Sequence, residues 1–562
     1  MKRLKDSHVY TSAHRMGETL SDESILEVEV RLSVAEALRS EDSPQWLTAM
    51  NREKTKLEAA NTWREPTEEE LRKKKQVVPV AILLTKKRDG SFKARACVLG
   101  NLVNTDGLNV YAPVVTMAGQ RYFLTSAVSQ GHYIKCFDID CAFLNAPLKE
   151  EVYVRLPKVW QESNKTDVRR LIKALYGLPQ SPRAWFKRYE SHLRQLGWTQ
   201  CQYELGLWKR ESKLSPGTFL QLSVYVDDNF LSGIHEEEVD EATSEILKEF
   251  PGKIIHPKEL GDGWQLWDAL GADFRYRRST REMVLSMENY IDKVAKKFNV
   301  FKSVISPNFE IGDLQNTTEI TEFKYRELIG ALQWVCTIGR PDVARPVNVL
   351  AQHVSDTVTK GMEACAMRVL RYLYGTKDRG ITYSSMREKG FKAEYKKLLG
   401  ECTELFPMVH VFSDASYGTN KEMYSTSGVV ILYRSVPLIW KSKRQTVRAY
   451  STMEAEWIAA SDAIQMATEV GFLGFFDKDP FCVKRSTGLL DKMWLWCDNQ
   501  SAVTASKSEE VKPRTRHFAL RYHRVRDEND RVHFCPTKLQ RADGLTKNVS
   551  EETRKLLMGW KV

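Results

Sequence analysis

The sequence lacks any apolar run long enough to cross a membrane. Its longest, "VVPVAILL" at residues 77–84, falls far short of the roughly 20 apolar residues that a spanning helix requires, so no membrane partner is expected. The basic start, "MKRLKDSHVY", has no apolar segment behind it, and no secretory leader is expected either. Ten cysteines are scattered without a single C-x-x-C spacing. That argues against a structural zinc site or a disulfide scaffold and for reduced, mostly buried thiols in an intracellular setting.

What is present describes an ordinary globular chain: 42% hydrophobic and 28% charged residues over 562 positions, enough for about three domains with real cores. The net charge of +11 is concentrated in one place. "KPRTRHFALRYHRVR" (512–526) carries six Lys/Arg and no acid. Read as a helix, it sets Arg514, His517, Arg521 and Arg524 on one face, with Phe518, Tyr522 and Val525 opposite. Such a face is either simply solvated or grips a phosphate backbone.

Acidic residues stand in unexpected places. In "SVYVDDNFLSG" (223–233) two apolar runs flank the adjacent carboxylates of Asp227 and Asp228. The stretch reads as a solvated hairpin turn, or as a pair of acids gathered around a divalent cation. "HYIKCFDIDCAFLNAPLKEEVYV" (132–154) reads as a strand with Asp138 in an apolar setting, a costly place for an unpaired charge. Upstream, Trp46, Met50, Leu57 and Ala60 carry a helical period, and 77–101 reads as a hairpin with Lys93 and Arg95 beside its turn. Residues 174–198 read as a Gly-Pro loop entering a helix, and about 235–400 as mainly helical. From about 405 a second pattern of strands and helices places Asp414, Glu454, Asp498 and Asp543 at strand ends or helix starts, 40, 44 and 45 residues apart. A helix cap accounts for Glu454 alone, but not for two aspartates ending strands.

The ordered series "KARACVLGN", "YAPVV", "FDIDCAFLNAPLKEEVYVRLP", "LYGLPQSPRAWF", "YVDD", "YRELIGALQWVCTIGRPDV", "RVLRYLYGT", "SDASYG", "STMEAEW", "WCDNQSAV" and "ADGLTK" resembles the reverse transcriptase–RNase H part of copia-type LTR retrotransposon Pol polyproteins, over roughly 33 to 550. Capsid, protease and integrase portions of such polyproteins are not visible, so the resemblance implies a C-terminal product or a truncated copy. The fold it implies is α+β and multidomain, a right-hand polymerase followed by an α/β RNase H-like domain. The divisions are a polar tail at 1–32, fingers and palm at 33–234, a mainly helical thumb/connection at 235–404, and the RNase H-like domain at 405–562.

The resemblance also implies roles. Asp138, Asp227 and Asp228 become the metal ligands of a polymerase palm. Phe143 becomes the bulky residue beneath the incoming sugar, and Gln180 a nucleotide contact. Lys93 and Arg95 become the basic clamp on a triphosphate; Arg514, Arg521 and Arg524 stay a candidate nucleic-acid contact on charge patterning alone. Asp414, Glu454, Asp498 and Asp543 become the RNase H acids, with His517, His523 and His533 as alternative helpers. The implied cofactors are two Mg²⁺ ions per site, with Mn²⁺ as the alternative. The implied partners are an RNA template, RNA–DNA hybrid, DNA, a tRNA primer, dNTPs and other Pol products such as integrase, in the cytoplasm within virus-like particles or in the nucleus. Asp140 and Ala146 stand where the family usually has Lys and Gly, and "ARACVLGN" lacks the usual Lys before its Gly. None of these changes removes an implied metal ligand. The rival reading is a catalytically inactive nucleic-acid-binding remnant or host-recruited scaffold; seven acids in one uninterrupted frame favour activity.

Overall fold

The computed structural model describes residues 32–73, 76–86, 90–162, 166–400, 406–418, 423–477, 493–507, 519–528 and 531–560. Among these, the strands form four sheets, the first two interleaved in sequence because Tyr133–Ile139 of the second precedes Tyr153–Arg155 and Val168–Leu171 of the first. In the first, β1 (Val77–Lys86) and β2 (Phe92–Val98) make an antiparallel hairpin. Val78, Val80, Ile82 and Leu84 alternate into the core while Leu83 stays exposed, the period-2 pattern of a strand with one buried face. Helix α1 (Ser43–Ala59) covers that face through Trp46, Met50 and Leu57, and the Trp46 ring meets Phe92 edge-on at 4.5 Å. On β2, Ala94 and Ala96 point inward, leaving Lys93 and Arg95 on the other, half-exposed face.

The second sheet is the one expected to form the palm. Behind it lies α2 (Met117–Gln130), buried along most of its length. Strand β3 (Tyr133–Ile139) is followed by α3 (Ser181–Gln195), then by β4 (Phe219–Tyr225), β5 (Asp228–Gly233) and β6 (Gly252–Ile255). The spatial order β6-β3-β5-β4 continues into the short strands Leu207–Glu211 and Thr199–Gln200. β3 is therefore central, antiparallel to β5 on one side and β6 on the other.

Residues 235–400 are mainly helical, as expected, but they also hold a sheet that the sequence reading did not foresee. A five-stranded antiparallel sheet runs Lys258–Gly261, β7 (Trp264–Ala269), β8 (Ala272–Arg277), β9 (Glu282–Ser286) and β10 (Ile381–Ser384). Its strands are short, and Arg275 and Arg277 alternate with the buried Phe274 and Tyr276. The charges conceal the apolar period, and the last strand is separated from its partner by nearly a hundred residues. Helices α4 (Glu288–Lys297), α5 (Tyr325–Ile338) and α6 (Lys360–Gly375) pack beside this sheet. Below them Arg340 and Asp342 form a fully buried ion pair at 2.8 Å, with the Tyr372 hydroxyl donating to Asp342 and Thr376 accepting from Arg340.

The last sheet has the order β13-β12-β11-β14-β15: β11 (Val409–Ser416), β12 (Thr426–Tyr433) and β13 (Val436–Arg444) are antiparallel, and β14 (Met493–Cys497) and β15 (Val532–Phe534) run parallel to β11. Phe412, Val430 and Trp496 face Phe391 and Tyr395 of α7 (Ser385–Lys397). Val411, Val429 and Leu495 face Trp457 and Ile464 of α8 (Thr452–Ala467). This sheet also shares a core with the palm. The buried Arg121 of α2 donates to the carbonyls of Thr337, Ile338 and Leu438, and its guanidinium lies 4.1 Å over the Trp440 ring. Carbonyl acceptors and an aromatic face offset the cost of burying that charge. Beside it Tyr122 stacks on Phe476 at 5.2 Å and meets Tyr433 at 5.1 Å.

Candidate active sites

The first site is built on β3 and the β4–β5 hairpin. Asp138 lies directly opposite Asp228 across the β3–β5 pair, and Tyr225 pairs with Asp228, so Val226 and Asp227 form a two-residue turn. Val226 adopts a left-handed φ of +57°, where a two-residue hairpin normally takes glycine and a β-branched side chain is strained. The surroundings hold it there. The Trp185 indole N–H donates to the Val226 carbonyl at 2.8 Å. The Ile139 N–H and the Asn229 side-chain amide both donate to the Asp227 carbonyl, at 3.0 and 2.8 Å. The Tyr189 hydroxyl in turn fixes Asn229 at 2.8 Å. The turn is thus real, and it is also locked so that three acids share one end of the sheet. On its far side Asp138 faces Lys253, whose ammonium lies 3.9 Å from the carboxylate.

Residues around Tyr176 complete this end. Phe143, in a single 3₁₀ turn (Ala142–Asn145), meets the Tyr176 ring edge-on at 5.1 Å. The Arg95 guanidinium lies 5.8 Å from the centroid of the same ring. Burial pushes the Tyr176 hydroxyl well above its usual range, with smaller contributions from Cys141 and then from Asp227. Tyr176 was not singled out from the sequence, although it lies in "LYGLPQ". Gln180 immediately precedes α3 without capping it through its side chain, and both polar atoms of its buried amide lack a hydrogen-bond partner among the described residues. Buried amides in folded proteins are almost always bonded.

The second site lies at the ends of β11 and β14. These strands run parallel with Phe412 beside Trp496, and continuing that register brings Asp414 next to Asp498. Asp543 opens a 3₁₀ turn (Asp543–Leu545) packed against them. The ligand atoms of Asp414, Asp498 and Asp543 lie within 4.8 Å of one another, as do those of Glu456, Cys497 and Asp498. Among the described residues these are the only two such groups of three, so the palm acids are not drawn together as tightly. Burial raises the carboxyls of Asp414, Glu456 and Asp543 above their usual range; the charges of neighbouring acids add to it, and Lys547 opposes it.

One expected ligand is displaced. Glu454 does not join this cluster: its carboxylate accepts the Tyr450 N–H at 2.7 Å, while its own N–H donates to Ser451 Oγ at 3.2 Å. "STME" is therefore a helix-capping sequence. Glu456, two residues on, points inward, beside Cys497 and Asp498. The signal was "MEAEW", with two acids, both buried, of which only the second stands beside Cys497 and Asp498.

The histidines and the basic helix fare differently. His533 packs against Trp494 and Trp496, at 5.0 and 5.4 Å between ring centroids, on the face opposite Cys497. Burial lowers its ring to a pKa of about 4. Arg514 and His517 lie outside the described residues. Helix α9 (Ala519–Arg526) lies against α8 with Val525 buried, Arg521 half-buried, and His523 and Arg524 exposed. Arg524 reaches Gln465 of α8 at 3.4 Å. If this face is the expected nucleic-acid contact, replacing Arg521 and Arg524 with Gln should weaken binding of an RNA–DNA hybrid and flatten its dependence on salt, by up to about 0.9 in slope for each phosphate the protein no longer neutralises. Fluorescence-anisotropy titrations at several salt concentrations measure this; an unchanged slope means the face is only solvated.

Residues 62–307 match the family of reverse transcriptases (RNA-dependent DNA polymerases). The chain is 28% identical, over 92% of its length, to the retrovirus-related Pol polyprotein from transposon TNT 1-94 of Nicotiana tabacum. It is also 28% identical, over 99% of its length, to the transposon Ty1-DR6 Gag-Pol polyprotein of Saccharomyces cerevisiae. It spans 38% and 31% of those two relatives. Among solved structures, a foamy viral protease-reverse transcriptase bound to double-stranded DNA is similar in fold, with a TM-score of 0.51 at 13% identity, covering 87% of this chain and 69% of that one. The locked aspartate hairpin, the motif series and these relatives agree: residues 62–307 match the reverse transcriptase family, and the chain is similar to the Pol polyproteins of copia-type retrotransposons.

Proposed function

We propose that the chain copies RNA and DNA templates into DNA at the palm and degrades the RNA strand of the resulting hybrid at the C-terminal sheet. The observation that carries the polymerase half is Asp138 held opposite Asp228, with Asp227 at the tip of a strained turn. Strain of this kind persists only where the surroundings over-determine it. The ribonuclease half rests on Asp414, Asp498 and Asp543 gathered at adjacent strand ends with Glu456 beside them. Mg²⁺ ions would be held by the three palm acids and by these four, and when bound they would make an attacking oxygen more acidic and offset charge on the phosphate.

The remaining groups bind and select. The orphaned Gln180 amide offers a donor and an acceptor whose burial costs about 1–3 kcal/mol unless a ligand bonds to them. Arg95, resting on Tyr176, and Lys93 on the same face of β2 would bind a nucleoside triphosphate. Phe143, braced by Tyr176, would exclude a 2′-hydroxyl by steric clash. RNA templates, a tRNA primer, hybrid, DNA and dNTPs are the partners of this reading. The DNA bound to the foamy viral protein of similar fold supports a nucleic-acid partner. The test is Mg²⁺-dependent primer extension on poly(rA)/oligo(dT) by the purified chain; no extension with folded protein would leave the inactive-scaffold reading in its place. Phe143→Ala should raise rGTP use relative to dGTP by about 10-fold or more in single-nucleotide kinetics, the scale of relieving one steric clash. Unchanged discrimination would return Phe143 to a packing role.

A further inference from the structure

A fifth charged group belongs to the carboxylate cluster. The Lys547 ammonium lies 2.9 Å from Asp543 Oδ1 and 3.9 Å from Asp414 Oδ1. Its backbone is fixed by the turn that places Asp543, because the N–H groups of Thr546 and Lys547 both donate to the Asp543 carbonyl at 3.1 Å. The Thr546 hydroxyl takes the other oxygen of Asp414. Two consecutive side chains of one turn therefore hold the two most enclosed aspartates of the site. Four carboxylates in so small a volume repel one another, and a cation within 4 Å relieves that repulsion. The Lys547 side chain is 43% exposed, so the ammonium sits at the mouth of the cluster and can withdraw into water without disturbing the turn.

We propose that Lys547 is a tethered cation of the ribonuclease site, a positioning residue that holds Asp414 and Asp543 together and competes with a divalent ion for that pair. The proposal rests on the ribonuclease reading of this cluster. Lys547 then sets the ion concentration at which the site fills. A hard divalent ion must displace the ammonium to reach the facing oxygens of the two aspartates, and until it arrives the ammonium keeps their geometry. Removing the ammonium removes a like charge a few ångström from the bound ion, a change on the order of tenfold in affinity at a partly hydrated site.

The experiment uses the full chain with Asp227→Asn and Asp228→Asn in every sample, so that the palm takes no part. Mn²⁺ binding is followed by the electron paramagnetic resonance signal of the free ion, and thermal melting is recorded with and without Mn²⁺. Lys547→Met should bind Mn²⁺ about tenfold more tightly, melt at a lower temperature without the ion, and gain more from it. Lys547→Arg, which keeps the charge, should return the parent affinity. Asp498→Asn controls for the site. If it leaves Mn²⁺ binding unchanged, the metal-site reading falls and this proposal with it. If Asp498→Asn weakens binding while Lys547→Met leaves it unchanged or also weaker, the proposal alone is overturned.

Discussion

Asp227→Asn should reduce primer extension on poly(rA)/oligo(dT) to background while the protein melts at the parent temperature. Metal ions at such a site supply several kcal/mol of charge stabilisation, and each ~1.4 kcal/mol is tenfold in rate, so a loss of roughly 10³-fold is expected. The fold should persist because the hydrogen bonds that lock the turn end on the backbone. Ile139 and the Asn229 amide donate to the Asp227 carbonyl, and Trp185 to that of Val226. Asn keeps the shape of Asp and removes one of two adjacent like charges. Extension rates and melting curves on the same preparation check both halves. Parent-level extension would remove Asp227 from the chemistry and return the hairpin to an ordinary turn.

The palm was legible because polymer physics and chemistry pointed to the same residues. Two strand-like runs around Asp227 and Asp228 predict a hairpin whether or not it binds ions, and Asp138 stands out as a charge in an apolar strand. Three things were not legible. Val226 gives no sign of its left-handed backbone, since the sequence preference at that position is for glycine and the strain is stored by distant donors such as Trp185. The sheet containing β7 to β10 was hidden because arginines alternate with its core aromatics and because β10 comes from far along the chain. Arg121, amid an apolar helix, gives no sign in the sequence of its acceptors, which are carbonyls more than two hundred residues away. Packing also crosses the boundary expected near residue 405. α7, which precedes residue 405, closes one face of the last sheet, and α2 of the palm reaches its β13 strand.

The shared core bears on whether the two sites can be separated. Glu456→Gln should stop RNA cleavage, by roughly 10²-fold or more, while leaving primer extension near the parent rate. The substitution removes a carboxyl that could hold an ion beside Cys497 and Asp498 and touches neither Arg121 nor the aromatic contacts around Tyr122, so the packing that joins the sheets stays intact. Sites that share no partners behave independently. Glu454→Gln is the matched control. Gln can still accept the Tyr450 N–H, and a weakened cap costs only about 0.5–2 kcal/mol, so both activities should survive. Asp228→Asn should do the reverse of Glu456→Gln, cutting RNA in a supplied hybrid while failing to extend. A dual-label assay on one hybrid follows DNA growth and RNA shortening together. Glu454→Gln abolishing cleavage while Glu456→Gln spares it would restore Glu454 as the ligand. Loss of both activities in Glu456→Gln or Asp228→Asn, with circular dichroism unchanged, would mean that the common core transmits what the separate carboxylates do not share.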